Sequence, residues 1–464
     1  MSQPDTPKAH GGTNAKFLSG SIMRHILVMA STNAIGLIGV FLVDLADLFF
    51  LSMLEDHDII AGVGFAGTLS FFTVSLSIGF SISMAALVSR TIGQHNLAQA
   101  RRYVVNVGLL ALALTAVLAI AISFFLPPLF KLLGADGAGL DYGIRYLQIV
   151  LLALPVMAIA LSFSAALRAI GDAKLAMQTS LIGGAVNAAL DPLLIFSLGL
   201  GVEGAAIATI FGRVTAFALA FWGVRYKHRL LTGFNLGFLL KDLKPIFAIA
   251  GPAMLTNMVT PIGNAIVIAA VAKFGAGYVA GFSVISRVAP VAFAMVFGLS
   301  GAVAPIIGQN YGARLFGRIR QALRDALLFN AVYVTVVSVM LFLLKDTINA
   351  VFNLQGEAAS LMNVFCTWIA IAYIFNGAQF IANASFNNLG KPIYATWFNV
   401  GRSTVGTLPF VMVGGYLGGA TGVLIGNSVG AMLTAIAAVF VAYRHARSLE
   451  RQSLRLKKSV VASS

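Results

Sequence analysis

Three carboxylates sit where carboxylates are expensive. Asp44 and Asp47 fall inside the apolar run from about 26 to 54, and Asp191 inside the run from about 175 to 196. A charge at the bilayer centre costs about 2.5 to 3.5 kcal/mol on insertion scales, so each is a candidate functional group. Asp47 lies seven residues from the outer end of its run and Asp191 five from the outer end of its own. At about 1.5 Å rise per residue both fall roughly 7 to 11 Å below the outer interface. Asn187, four residues before Asp191, shares its helix face, and Thr209, five residues into the next run, reaches a similar depth. Burial disfavours the charged form of a carboxylate, the property a proton carrier near neutral pH requires. Asp44 and Asp47, spaced i, i+3, could share one proton or one cation, and Na⁺ is the other ion that Asp47, Asp191 and Asn187 could hold. Simpler roles stand beside these: Asp44 facing a wet vestibule, Asp191 capping a break before Pro192, Thr209 bonding back to a carbonyl of its own helix.

Three basic residues also lie within apolar runs: Arg213, Arg287 and Arg402. Arg287 is close enough to an end to snorkel, whereas Arg402, central in FNVGRSTVG, is expected to be buried against polar groups of the second half. Asn376, Gln379, Asn383 and Asn387 form a stripe at helical spacing that either lines a cavity or glues helices; cavity lining, with Arg402 and Arg287, is the preferred reading. None of the six His lies inside a run, and Cys366 is the single Cys, so neither an intramembrane metal site, a cofactor nor a disulfide framework is expected. With no phosphate-cradling Walker sequence, the energy source is expected to be an ion gradient.

The elements that hold these groups follow from composition. Of 464 residues, 59% are apolar and only 10% charged, against about a quarter charged in soluble domains, which excludes a water-soluble enzyme. Twelve runs are long enough to span a bilayer: roughly 26–54, 59–88, 104–126, 146–167, 175–196, 204–224, 246–272, 279–307, 326–344, 361–386, 394–413 and 420–443. With the N-terminus cytoplasmic, the inner loops carry fifteen Lys and Arg and the outer loops four, so both ends are expected on the cytoplasmic side of a bacterial-type inner membrane. The net charge of +15 is therefore topological; the basic, aromatic-interleaved groove of a nucleic-acid binder is missing.

A repeat divides the chain. IGQHN at 92–96 returns as IGQNY at 307–311, AIGDAK at 169–174 as NLGKP at 388–392, and GVEGAAIAT at 201–209 as GATGVLIGN at 419–427, at separations of 215, 219 and 218 residues. The expected fold is an all-α polytopic membrane protein of 12 transmembrane helices in two parallel six-helix lobes, related by a pseudo-two-fold axis along the membrane normal. Its parts are a disordered cytoplasmic tail at 1–25, a first lobe at 26–224, a basic inter-lobe loop at 225–245, a second lobe at 246–443 and a basic cytoplasmic tail at 444–464.

These features resemble the multidrug and toxic compound extrusion (MATE) family, over about residues 22 to 443. The resemblance rests on VDLADLFFLSML, ALRAIGDAK, NAALDPLLIF, GVEGAAIAT, IGQN and the Arg402 run followed by Leu408 and Pro409. It is closest to the DinF-like branch, and implies a coupling site at Asp47, Tyr146, Asn187, Asp191 and Thr209; Tyr146 otherwise reads as an interfacial aromatic. Spans 7 and 10 lack the acids of the branch with a second-lobe sodium site, which points to protons. The resemblance implies a monomeric antiporter exchanging H⁺, or Na⁺, for amphipathic, cationic organic compounds across the lipid bilayer, without a cofactor. A lipid-linked oligosaccharide flippase of the same superfamily is the alternative. The family proline some fifteen residues before the first-span Asp is absent from VMASTNAIGLIG, so any bend there must rely on Gly36 and Gly39.

Overall fold

The computed structural model describes residues 15–54 and 56–463. Among these there is no strand; the chain is a succession of long apolar helices. The first lobe comprises α1 (Ile22–Ser52), α2 (His57–Gly93), α3 (Leu97–Phe124), α4 (Gly137–Leu152 with Leu154–Ala169), α5 (Ala173–Ser197) and α6 (Gly201–Lys227). The second comprises α7 (Leu236–Ala272), α8 (Ala276–Ala292 with Ala294–Gly312), α9 (Phe316–Val351), α10 (Gly356–Asn388), α11 (392–417) and α12 (420–455). The last two run into each other through Gly418 and Gly419, where Gly419 takes φ +59° and the helical dihedrals fail. Beyond this point the backbones of Gly414 and Gly422, Phe410 and Gly426, and Gly406 and Gly430 meet pairwise. A Cβ at Gly414, Gly422, Gly426 or Gly430 would strike the opposing carbonyl, so α11 and α12 form a tight antiparallel hairpin and the spans among the described residues number twelve.

The repeat is visible in the packing. α1 lies against α5 as α7 lies against α11, α2 against α4 as α8 against α10, and α5 against α6 as α11 against α12. Even the interruptions correspond: α4 bends by 50° at Ala153, ahead of Pro155, and α10 loosens into a wide turn at Phe365–Ile369 and a tight one at Ala370–Ala372. Proline removes an N–H from the ladder and accounts for the first. α8 bends by 44° just after Pro290.

The lobes meet through α1 and α2 of one and α7 and α8 of the other. Among the described residues, every hydrogen bond between them lies in the half nearer the chain termini. Asn33 donates to Gly298 O (3.2 Å), Ser83 to Ile246 O (3.1 Å), Arg90 to Asn388 O (3.0 Å) and Gln309 to Ala169 O (2.8 Å). Backbones touch there as well, Gly93 against Gln309 and Gly312 against Arg90. The seam is sealed on the termini side and, among the described residues, carries no polar link in the opposite half.

Three sequence expectations change. Residues 1–14 lie outside the described residues, but 15–25 are not a disordered tail: Lys16–Leu18 form a helical turn, Phe17 is buried, and Arg318 and Asn310 donate to Phe17 O (both 3.1 Å). The inter-lobe loop ends sooner than 245, because Asn235 caps α7 by accepting from Phe238 N–H (3.2 Å). Residues 444–455 continue α12 rather than forming a separate tail, with Glu450 paired to Arg320 at 3.2 Å. Gly36 and Gly39 lie within an unbroken α1. They face Met177 and Leu181, and a Cβ at Gly39 would collide with Leu181, so they let α1 approach α5 closely.

Candidate functional site

The close approach of α1 to α5, and of α5 to α6 where Gly183 faces Gly212, brings polar groups from three helices into one cluster. Asn187 is its centre. With its amide turned to satisfy both ends, Nδ2 donates to Asp47 Oδ1 at 3.1 Å and Oδ1 accepts from Thr209 N–H at 3.3 Å. Asp191, one turn along α5, is wholly buried, and the Asp47 carboxyl lies beside it. Neither Asp191 oxygen meets the geometry of a hydrogen bond, to Asp47 or to any other group among the described residues. Two carboxyls in contact and short of donors form an arrangement completed by a proton or a small cation between them.

Tyr146, from the first segment of α4, faces Asp47 and Thr209, so the residue read as an interfacial aromatic packs into the cluster instead. The Thr209 hydroxyl donates to Ala205 O at 3.0 Å, the back-bond expected of a threonine in a buried helix, and the Thr209 contribution to Asn187 comes from its backbone. Asp44 lies near enough to both Asp47 and Arg213 to feel their charges; Arg213 Nη1 donates to Val150 O at 3.0 Å. Arg213 thus sets one positive charge within the same lobe and anchors α6 to α4 just before its bend.

The second lobe arranges its polar groups differently. Arg402 donates to Asn376 Oδ1 at 2.6 Å and lies near Tyr373. Gln379, Asn383 and Asn387 are buried on α10; Gln379 Nε2 donates to Asn383 Oδ1 at 3.2 Å along the same helix, and Gln379 Oε1 and Asn387 Oδ1 have no partner among the described residues. Arg287 is exposed on the first segment of α8, with no hydrogen bond or ion pair among the described residues.

One charged site was not apparent in the sequence. Asp242, placed there in the inter-lobe loop, is almost wholly buried in the first turns of α7. It accepts from Arg102 Nε and Nη2, both at 2.9 Å, and from Asn106 Nδ2 at 2.7 Å. This forked pair crosses the lobe seam from α3. Removing one member of a buried ion pair typically costs about 3–5 kcal/mol, so it is a principal fastener of the sealed side. Arg102 and Asn106 share a helix face at i, i+4, but their partner lies 136 residues or more away and no local pattern reveals it.

Known proteins bear on this arrangement. The MatE family model matches residues 33–193 and 252–413, one match per lobe. A FAD transporter of Shewanella oneidensis is 29% identical over 433 residues, covering 92% of this chain and 96% of its own length. The multidrug export protein MepA of Staphylococcus haemolyticus is 24% identical over 450 residues, covering 94% and 97%. Among solved structures, the MATE transporter VcmN of Vibrio cholerae has a TM-score of 0.87 at 23% identity, over 92% of this chain and 97% of that one. A MOP superfamily transporter from Pyrococcus furiosus has a TM-score of 0.88 at 21% identity, over 96% and 100%. A match recurring in both halves, on a frame of two six-helix lobes, places the chain in the MatE family of membrane transporters.

Proposed function

We propose that this transporter is a proton-coupled antiporter of the DinF-like kind, expelling amphipathic organic compounds from the cytoplasm across a bacterial-type inner membrane, with both termini inside. The observation that carries the reading is the Asp47–Asn187–Asp191 cluster, in which the Asn187 amide donates to Asp47 while the adjoining, buried Asp191 carboxyl has no donor among the described residues. Protonation from the opposite side removes the repulsion between Asp47 and Asp191, lets α1 and α5 close on each other, and releases substrate. Deprotonation towards the cytoplasm resets the lobe. The seam, sealed on the termini side and unlinked beyond it, supports a chain caught in one of the two states this cycle needs. An inward proton gains about 2.3 kcal/mol per 100 mV plus about 1.36 kcal/mol per pH unit. Export of a monocation costs the same electrical amount, so one-for-one exchange is electroneutral and driven by the pH difference.

The test is pH-driven dye efflux in everted membrane vesicles, with Na⁺ varied separately. Loss of transport in both Asp47→Asn and Asp191→Asn, independent of Na⁺, is expected. Unimpaired transport in both sinks the mechanism, and restoration by Na⁺ alone reassigns the ion.

A second substrate reading is favoured by the second lobe, where Arg402 and the exposed Arg287 offer positive charge and no acid lies within the apolar runs. An anionic aromatic dinucleotide such as FAD, the cargo named for the Shewanella relative, suits that lining better than a cation does. FAD uptake into everted vesicles that falls in Arg402→Ala and Arg287→Ala decides for it; cationic dye efflux without FAD uptake decides against.

A further inference from the structure

On the termini side, where α3 and α7 meet, a cavity of about 480 Å³ has Asn96, Gln99, Arg101, Arg102, Asn235 and Phe238 among its lining residues. No carboxylate lines it, and Asp242 next to Arg102 is taken up by Arg102 and Asn106. Arg101 makes no hydrogen bond among the described residues, and its Nε is buried without a partner. Both helices begin at this cavity. Asn96 and Asn235 satisfy the N–H groups of Gln99 and Phe238 (3.0 and 3.2 Å), which leaves the earlier N–H groups of each first turn without helical partners. A free guanidinium and two converging positive helix ends make a cavity complementary to an anion with several acceptor oxygens. Phe238 closes one side, its ring 5.0 Å from the Arg102 guanidinium. Flanking Asn235 and Phe238 along the chain, Phe234, Leu236 and Leu240 expose their side chains, as do Lys241 and Lys244, the mixture of apolar and basic groups found at headgroup depth.

We infer that this seam cavity binds a phosphate group, carried by a lipid headgroup or free in solution, and that bound phosphate holds α3 of one lobe against α7 of the other. The occupant acts beside the Arg102–Asp242 fastener and favours the sealed arrangement. It is remote from the Asp47 cluster, so it modulates the cycle without carrying the coupled ion.

The experiment uses the full chain, purified in detergent, with calorimetric titration of dioctanoyl phosphatidylglycerol, dioctanoylglycerol and inorganic phosphate. Phosphatidylglycerol is expected to bind at least tenfold more tightly than dioctanoylglycerol, and Arg101→Gln to weaken it at least tenfold. Competition by millimolar phosphate assigns the site to the free anion; its absence assigns it to the headgroup. Asn235→Asp, which keeps the helix cap but brings a negative charge to the cavity, must give the same loss if Arg101→Gln does not fold. Equal binding of phosphatidylglycerol by wild type and either variant, or no discrimination against dioctanoylglycerol, overturns the proposal.

Discussion

The two lobes share a frame and divide the chemistry. In the first, Pro192 follows Asp191; 217 residues on, Pro409 follows Leu408. The position 219 residues after Asp47 is Ile266, and Thr209 corresponds to Asn427. The repeated motifs and the helix pairings recur in both halves, whereas the carboxylates within the apolar runs occur in one. A repeat therefore reports what the fold needs, and departures from it mark where chemistry resides.

The largest expected effect comes from removing that asymmetry. Asp191→Asn or Asp47→Asn lowers pH-driven efflux in everted vesicles by a factor of about a hundred or more, since no other carboxylate pair within the spans can take over. Supplying the missing acid in the other lobe sharpens the point. Leu408→Asp in the Asp191→Asn background leaves transport absent, and its insertion cost of about 2.5 to 3.5 kcal/mol lowers folded yield; restored transport would make the lobes interchangeable.

Asn187→Ala is expected to act less severely. It removes a hydrogen bond to a charged group, worth about 1.5–3 kcal/mol, so efflux falls roughly ten- to a hundredfold and its pH profile shifts. In the second lobe, Arg402→Ala should raise the KM for substrate by less than tenfold and leave the pH profile in place, because Arg402 touches Asn376 and Tyr373 and not the carboxylates.

The smallest effect contrasts two equivalent turns. His228 and His445 each brace the turn between the fourth and fifth helices of its lobe, His228 through Asp172 (2.7 Å) and His445 through Leu389 O (3.2 Å). Burial opposes ionisation of Asp172, but His228, Lys227 and the Leu175 N–H outweigh it and hold its carboxyl below the usual carboxylate range. A depressed value in the folded state contributes stability that is present above the unfolded pKa of about 3.9 and is lost as pH falls through the lower folded value. Asp172→Asn should therefore lower Tm by a few degrees at neutral pH and flatten its fall in acid. The same loss on replacing His445, whose partner is a carbonyl, would show that charge at Asp172 is irrelevant.

What the sequence revealed follows from what hydropathy measures. Burial cost singles out Asp44, Asp47 and Asp191, and depth counted along the helices groups Asp47 with Asn187, Asp191 and Thr209. Direction around a helix axis was not available in the same way. The amides of α10 turned into a packed interface, Tyr146 turned inwards, and Arg213 found Val150 O on another helix. Contacts across the seam, such as Arg102 with Asp242, depend on how two lobes of similar sequence dock, which neither periodicity nor charge counting reports. The helical turn around Phe17 is not legible in the sequence, because a short polar segment with one aromatic has the composition of a tail and its order comes from long-range contacts.

The most direct test of the account is proton release by the purified protein in detergent as substrate is added. Wild type should release about one proton per substrate bound near neutral pH, and the Asp47→Asn/Asp191→Asn double variant none while still folding. Undiminished release from the double variant would place the coupled proton elsewhere and contradict the central claim.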